Sequence, residues 1–310
     1  MQRVKFYGIY ANPTPYRRAG SMTDKNKVII IGGGHNGLIC AAYLAKAGKQ
    51  VTVLEASDQL GGAAITREFA SGFKVSAGAH LLYLLDKDVR KELDLDAHGL
   101  QMAQKAMSTI ALAEDGKHLT FSGKTVSGEG VSAEDQAAMV EYHRFMTRFA
   151  GIIGKLHNQI PARIRLDNRQ DLISLAKTAW NIRSMGKADM REFLRMAGIN
   201  IYDILKENFE HPMIKGALSL DGVLGSFLGP RSNNSVFCAL HRWSGGDGMS
   251  IAKGGMGAVT QAIADAAGKH GASIRTSSPV SRILMENGQV QGVELENGEQ
   301  VMAATVVSNA

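Results

Sequence analysis

VIIIGGGHNGLICAAYLAKAGKQVTVLEASDQLGG, residues 28–62, runs from an apolar stretch through a glycine-rich turn into an alanine-rich segment and out to an acid. Val28 to Ile31 predicts a buried strand, and Val51 to Leu54 predicts a second that ends on Glu55. Between them, Gly32-Gly33-Gly34-His35-Asn36-Gly37 opens a helix. Strand, G-x-G-x-x-G turn, helix, strand and carboxylate, in that order, make the dinucleotide-binding unit. Gly32 permits the sharp turn, Gly34 lets the backbone approach a pyrophosphate, and Gly37 lets helix and strand pack closely. The helix start at His35 and Asn36 offers unpaired N–H groups and roughly half a positive charge to the phosphates. Glu55 stands about 18 residues past Gly37, where the unit places the acceptor for the adenosine ribose hydroxyls. A charged contact of that kind is worth about 1.5–3 kcal/mol. A glycine turn that binds no nucleotide would account for the hexapeptide alone, but not for the whole unit.

The residues after Glu55 favour FAD over NAD. Ala56-Ser57-Asp58-Gln59-Leu60 leads to Gly61-Gly62 and on to Ala63-Ala64-Ile65-Thr66, and a second glycine pair lets the backbone pass close to a cofactor again. A plain Gly-Gly turn is the competing reading of the pair by itself. Gly72-Phe73-Lys74-Val75-Ser76-Ala77-Gly78-Ala79-His80-Leu81-Leu82 follows. Together these stretches resemble the flavoprotein superfamily of amine oxidases and phytoene desaturases, and within it the phytoene-dehydrogenase-related branch. The resemblance implies FAD, with cofactor contacts at Gly32, Gly34, His35, Asn36, Gly37, Glu55, Gly61, Gly62, Thr66 and His80. His80 either touches the isoalloxazine, lines the cavity above it, or is a hydrogen-bonded structural histidine. Most members carry Arg after the glycine pair; Ala63 stands there in this chain, so no direct Arg–pyrophosphate contact is expected.

The far end of the chain agrees. Lys253-Gly254-Gly255-Met256-Gly257 opens a predicted helix through Ala267, and residues 272–276 predict a strand. Val280–Met285, Val290–Leu295 and Gln300–Val301 are separated by Asn287-Gly288 and Asn297-Gly298, which predicts a β-meander. Residues 304–310 predict a buried strand returning to the main sheet. In the superfamily this block completes the FAD domain, and the backbone at Val280 meets the adenine. The expected fold class is α/β: a Rossmann-like FAD/NAD(P)-binding domain with a β-meander, plus an inserted, largely helical substrate lobe. The C-terminal part of the family fold is expected to be absent. The expected division is 1–24 as an extension, 25–100 and 250–310 as the two parts of the FAD domain, and 101–249 as the lobe.

In the lobe, residues 108–121 predict a hairpin turning at Asp115-Gly116, and Ser132-Ala133-Glu134-Asp135 resembles a capping box before a helix to about His157. Further helices are expected over 171–185, 188–196 and 201–209, and after Pro212. Met185, Met190, Met196 and Met213 read as core, or as the lining of an adaptable apolar tunnel. Lys177, Arg183, Lys187, Arg191 and Arg195 near Trp180 read as a solvated face, or as a peripheral contact with anionic lipid heads.

The chain's 310 residues, 45% hydrophobic with 35 glycines, suffice for one large domain plus a second lobe. Of the formal charge of +6, Arg3, Lys5, Arg17 and Arg18 supply four before any acid occurs. No base-stacking motif or basic run follows, which argues against nucleic acid. Cys40 and Cys238 form no C-x-x-C, so neither a redox disulfide nor a cysteine metal site is expected. Residues 1–24 lack acids before Asp24, as a mitochondrial transit peptide does, but Pro13 and Pro15 interrupt a continuous helix. A start at Met22 is the other reading. The cytoplasm is the expected location, with the mitochondrial matrix as the alternative.

The resemblance implies a flavin-dependent oxidoreductase that removes a hydride from an apolar, lipid-like small molecule, with this chain its N-terminal fragment. No catalytic acid or base is identified, and the oligomeric state is left open. The alternative is a short, non-catalytic flavin- or partner-binding regulatory protein. A nicotinamide-dependent dehydrogenase shares the features only as far as Glu55.

Overall fold

The computed structural model describes residues 25–157, 169–196, 198–246 and 248–310; the expectations for residues 1–24 lie outside them. The chain opens with β1 (Lys27–Ile31), α1 (His35–Lys46) and β2 (Gln50–Leu54). A hairpin of β3 (Thr66–Ala70) and β4 (Phe73–Ser76), the short helix α2 (Lys87–Glu92) and β5 (Met102–Gln104) follow.

The lobe begins with a three-stranded antiparallel sheet, β6 (Thr109–Ala111), β7 (Leu119–Ser122) and β8 (Thr125–Ser127). It continues through α3 (Ala133–His157), α4 (Arg169–Arg183), α5 (Lys187–Met196), α6 (Ile201–Asn208) and α7 (Pro212–Ser219). A 3-10 turn at Leu220–Gly222 precedes α8 (Ser235–Trp243). The chain then returns through β9 (Ile251–Ala252), α9 (Met256–Lys269) and β10 (Ser273–Arg275). It ends with β11 (Val280–Glu286), β12 (Gln289–Leu295), β13 (Gln300–Met302) and β14 (Thr305–Ser308).

The main sheet is parallel, in the order β10-β2-β1-β14. β1 is its centre, and its residues alternate between two cores. Val28 and Ile30 join α1, α9, Val51 and Val53 on one face. Ile29 packs with Leu54, Val293, Leu295 and Ala303 on the other, beneath the meander. A strand covered on both faces reads as an unbroken apolar run, as Val28–Ile31 does. The first meander turn has Asn287 and Gly288 both at positive φ (49° and 74°) between paired Glu286 and Gln289, the backbone of a type I′ turn. At the second, Asn297 uses its side chain, accepting from the Glu299 N–H at 2.9 Å.

The lobe has its own core, centred on Met139, Tyr142, Phe149, Phe209 and Leu240. Its start follows the expected signal, since Ser132 Oγ accepts from the Asp135 N–H at 3.0 Å. The reciprocal arm of the capping box is missing. Asp135, only 4% exposed, instead accepts from the N–H groups of Glu210 and His211 (2.9 and 3.2 Å), pinning the α6–α7 link to α3. β8, α2, the β3–β4 hairpin and α8 go beyond the sequence expectation. α8 follows Asn234 at φ 67°, and although Asn234 is a residue type that commonly caps helices, its side chain forms no cap here. β3 and β4 are solvent-exposed along most of their length and leave no burial alternation to read.

Candidate functional site

The glycine turn lies at the carboxyl end of β1, between β2 and β14, where a sheet of this order leaves a crevice for ligands. Gly32 sits at φ 99°, a conformation L side chains rarely adopt, and an added Cβ would fall 2.9 Å from the Asn309 carbonyl oxygen. At Gly37 an added Cβ would strike the Gly32 carbonyl oxygen. α1 starts at Gly34 with no side-chain cap and no acid in its first turn. His35 and Asn36 are exposed there. The dipole and free N–H groups of an uncapped helix start lined by glycine backbone favour an anion.

Glu55 is fixed next to this turn. Its Oε2 accepts from the Gly33 N–H at 2.6 Å and its Oε1 from the Ser57 N–H at 2.9 Å. A carboxylate has about four lone-pair sites, so two remain for a pair of ribose hydroxyls. Gly61 donates to the Gly33 carbonyl at 2.9 Å, which seats the second glycine pair on the first loop. Ser278 donates to the Glu55 carbonyl and Ser277 to that of Ser57, both at 2.8 Å. This carries the chain to Val280 along the same edge. Gly32, Gly34, His35, Asn36, Gly37, Glu55, Gly61 and Gly62 thus gather at the end of β1, while Val280, two residues past Ser278, packs its side chain against the core of Ile29 and Leu54.

Thr66 is placed differently. Its hydroxyl donates to the Gly254 carbonyl at 3.0 Å and accepts from the Gly257 N–H at 2.9 Å. Opposite it on β4, Ser76 accepts from the Met256 N–H at 3.1 Å. The two hydroxyls cap α9, so the Thr66 side chain is already engaged. Asn309, which the motif reading did not single out, donates its N–H to the Ile31 carbonyl at 2.8 Å beside Gly32 and Gly34. Its place just past the last parallel strand, at the point where strand order reverses, is the signal that would have found it.

His80 leads from the crevice to a cavity. Ala79 donates to the Ala63 carbonyl at 2.7 Å, and Leu82 bridges Ser250. The segment 79–83 therefore runs from the second glycine pair to the lobe. There His80, Leu81 and Tyr83 form one side of a cavity of about 530 Å³. Met107, Phe121, Met139, Leu224 and Met249 line much of the rest. The methionines read from the sequence as core or tunnel lie elsewhere. Met196 is buried in the lobe core, Met185 and Met213 pack against it, and Met190 is half-buried.

The cavity has a charged wall, with Ser108, Thr109 and Thr147 also among its lining residues. Asp221 accepts from Arg242 Nε at 2.8 Å and from Trp243 Nε1 at 2.9 Å, and the Arg242 and Asp221 side chains are 13% and 22% exposed. Burial raises the Asp221 pKa, against the pull of Trp243 and Arg242. His143, edge-on to Trp243 at 5.2 Å, has its pKa lowered by burial and by Lys124. Behind Trp243, the Tyr142 hydroxyl is fully buried without a hydrogen-bond partner among the described residues. Burial, with the Asp221 charge adding to it, holds that phenol protonated. No sequence signal linked these residues, which lie on α3, the 3-10 turn and α8.

Among the described residues no cluster suits a metal ion, and no helix is long and apolar enough to cross a membrane. Cys40 and Cys238 are free thiols, and burial raises the Cys40 pKa. Lys177, Arg183, Lys187, Arg191 and Arg195 are exposed, as is Trp180. Arg195 is paired with Glu192 and Glu207.

Comparison with known proteins gives a consistent result. The chain is 32% identical over 314 residues to rat pyridine nucleotide-disulfide oxidoreductase domain-containing protein 2, covering 94% of this chain and 54% of the rat protein. It is 26% identical to the hydroxyneurosporene desaturase of Cereibacter sphaeroides, over 91% of this chain and 56% of that one. Putrescine oxidase shares the fold with a TM-score of 0.53 at 18% identity, over 90% of this chain and 57% of the oxidase. The chain thus spans about half the length of the curated relatives it matches. Residues 37–310 match the family described as flavin containing amine oxidoreductase. With this match over most of its length, the chain belongs to that FAD-dependent family.

Proposed function

We propose that this chain supplies the FAD-holding domain and part of the substrate cavity of a flavin-dependent oxidoreductase that takes a hydride from an apolar, lipid-like substrate. The observation that carries the reading is the continuity from Gly61-Gly62 through residues 79–83 into an apolar cavity. When bound, the flavin supplies the redox chemistry. The chain's own residues position it. The Gly32–Gly37 loop, with the N–H groups at His35 and Asn36, takes the pyrophosphate. Glu55 takes the ribose, and the backbone at Val280 borders the adenine. Gly61 and Gly62 let the chain cross the cofactor closely, and the hold of the Thr66 and Ser76 hydroxyls on α9 fixes the second block against the first. His80 stands between crevice and cavity, and the lobe core shields the substrate from water. The name of the desaturase relative supports an apolar substrate.

The test is an absorption spectrum of the purified protein, together with melting curves with FAD and with NAD. At about 100 times its dissociation constant, FAD is expected to add about 2.7 kcal/mol of stability. A shift with NAD and none with FAD would overturn the assignment. A peripheral membrane contact belongs to the same proposal. Ile173 and Trp180, 55% and 71% exposed, share a helical face with Lys177. Co-sedimentation with anionic but not neutral vesicles, lost in Trp180→Ser, is the outcome expected of it.

A further inference from the structure

The polar wall of the cavity is closed on itself in charge yet open in hydrogen bonding. Both Asp221 oxygens accept, one from Arg242 Nε at 2.8 Å and one from Trp243 Nε1 at 2.9 Å. Arg242 Nη2 contacts Met249 Sδ at 3.1 Å, and the guanidinium lies over the Tyr83 ring at 5.1 Å from its centroid. The pair is held on all these sides at one edge of a cavity of about 530 Å³, within the roughly 300–1,000 Å³ usual for small-molecule sites. A guanidinium carries five N–H donors, and Nη1 has no acceptor among the described residues. Its charge, however, is already balanced by Asp221.

Among the described residues no lysine lines the cavity, and the other basic side chains there are His80 and His143. Burial disfavours the charged form of His143. A carboxylate or phosphate entering here would bring a negative charge into mostly apolar surroundings with no free cation to meet it, and such transfers are costly. A hydroxyl or carbonyl oxygen carries no such cost and can accept from Arg242. We infer that the cavity binds a neutral molecule with an apolar skeleton and one oxygen function, a hydroxyl or a carbonyl, held by the Arg242 guanidinium. Asp221 is a positioning residue, fixing the fork from behind. That this molecule is the substrate rests on the flavin oxidoreductase reading; the binding site itself does not.

Trp243 lines the cavity, and the chain has two tryptophans. In a Trp180→Phe background, Trp243 fluorescence therefore reports occupancy without any flavin. Titration with 1-octanol, 2-octanone and octanoate at pH 8, below micelle-forming concentrations, is expected to give saturable changes with the first two. Octanoate should bind about tenfold or more weakly. Arg242→Lys keeps the charge but loses the planar fork, and should weaken octanol by about tenfold, the worth of one ordinary hydrogen bond.

Where that variant fails to fold by circular dichroism, the paired Asp221→Asn/Arg242→Gln change removes both charges together and should weaken octanol to the same degree. Octanoate binding as tightly as octanol overturns the inference. So does silence of Trp243 to all three probes, or unchanged octanol binding in the folded variants. The FAD melting shift, measured on the same samples, fails or succeeds separately. Octanol binding without an FAD shift would sink the oxidoreductase reading and leave the site standing.

Discussion

Gly37 carries a hydrogen where any other residue would press a carbon against the Gly32 carbonyl oxygen. The obstacle is backbone, which cannot swing aside as a side chain can, so Gly37→Ala must push α1 away from β1. A loss of about 1–3 kcal/mol is expected, the ordinary cost of overpacking, read from urea unfolding of the cofactor-free protein. FAD affinity should fall with it, because the displaced helix start is the proposed phosphate site. A variant as stable as the parent would show that the loop is not fixed by this contact. Tyr142 and Asp221 make the opposite pair. Tyr142→Phe removes a buried hydroxyl that bonds to nothing among the described residues, so stability should hold or rise by up to about 1 kcal/mol. Asp221→Leu instead strands the Arg242 charge at 13% exposure, and about 3–5 kcal/mol should be lost. The two denaturation curves moving together would contradict this division of the wall.

At the scale of elements, α3 and α8 meet through histidines. His241 Nδ1 lies 3.3 Å from His157 Nε2, with the rings 4.7 Å apart. His143, further up α3, touches Trp243 of α8. The His241 pKa is lowered by burial and by His157, and that of His143 by burial and by Lys124. Below the ordinary histidine value of about 6.5, the unfolded chain therefore holds these protons more tightly than the folded one. Their contribution to stability is complete above that value and is lost as pH falls towards the lowered folded values. The urea midpoint should drop between about pH 7 and pH 5, and His241→Gln should flatten the slope. A midpoint independent of pH in that range would remove this pair from the account. Such a contact was not legible in the sequence, because its two histidines lie 84 residues apart in the chain. The meander and the main sheet were legible, because Asn287-Gly288 and Val28–Ile31 carry their backbone demands locally. The tight glycine turn with Glu55 beside it was legible for the same reason. The polar wall was not, since Asp221, Arg242 and His143 converge only after the lobe has folded.

In the molecule as a whole, the packing on the two faces of the main sheet and the core inside the lobe are separately built. The main-sheet core draws on both ends of the chain, and Thr66 is one of the bonds that hold those ends together. Its hydroxyl caps α9 across 191 residues of sequence, with Ser76 beside it. Thr66→Val keeps the shape and removes both bonds, so the loss should be that of a helix cap, about 0.5–2 kcal/mol. If Thr66 acts as this structural clip, the loss appears without FAD, and the stabilisation added by FAD is unchanged. If its side chain instead meets the cofactor, the variant loses little when cofactor-free and its FAD shift shrinks. Calorimetry can place the effect as well as size it, because two cores joined by few elements need not melt together. Thr66→Val and FAD should move the same transition, that of the main sheet, in opposite directions. The pH effect of His241 should move the lobe's transition alone. One shared transition responding to all three would mean that the lobe and the FAD domain fold as a single cooperative unit.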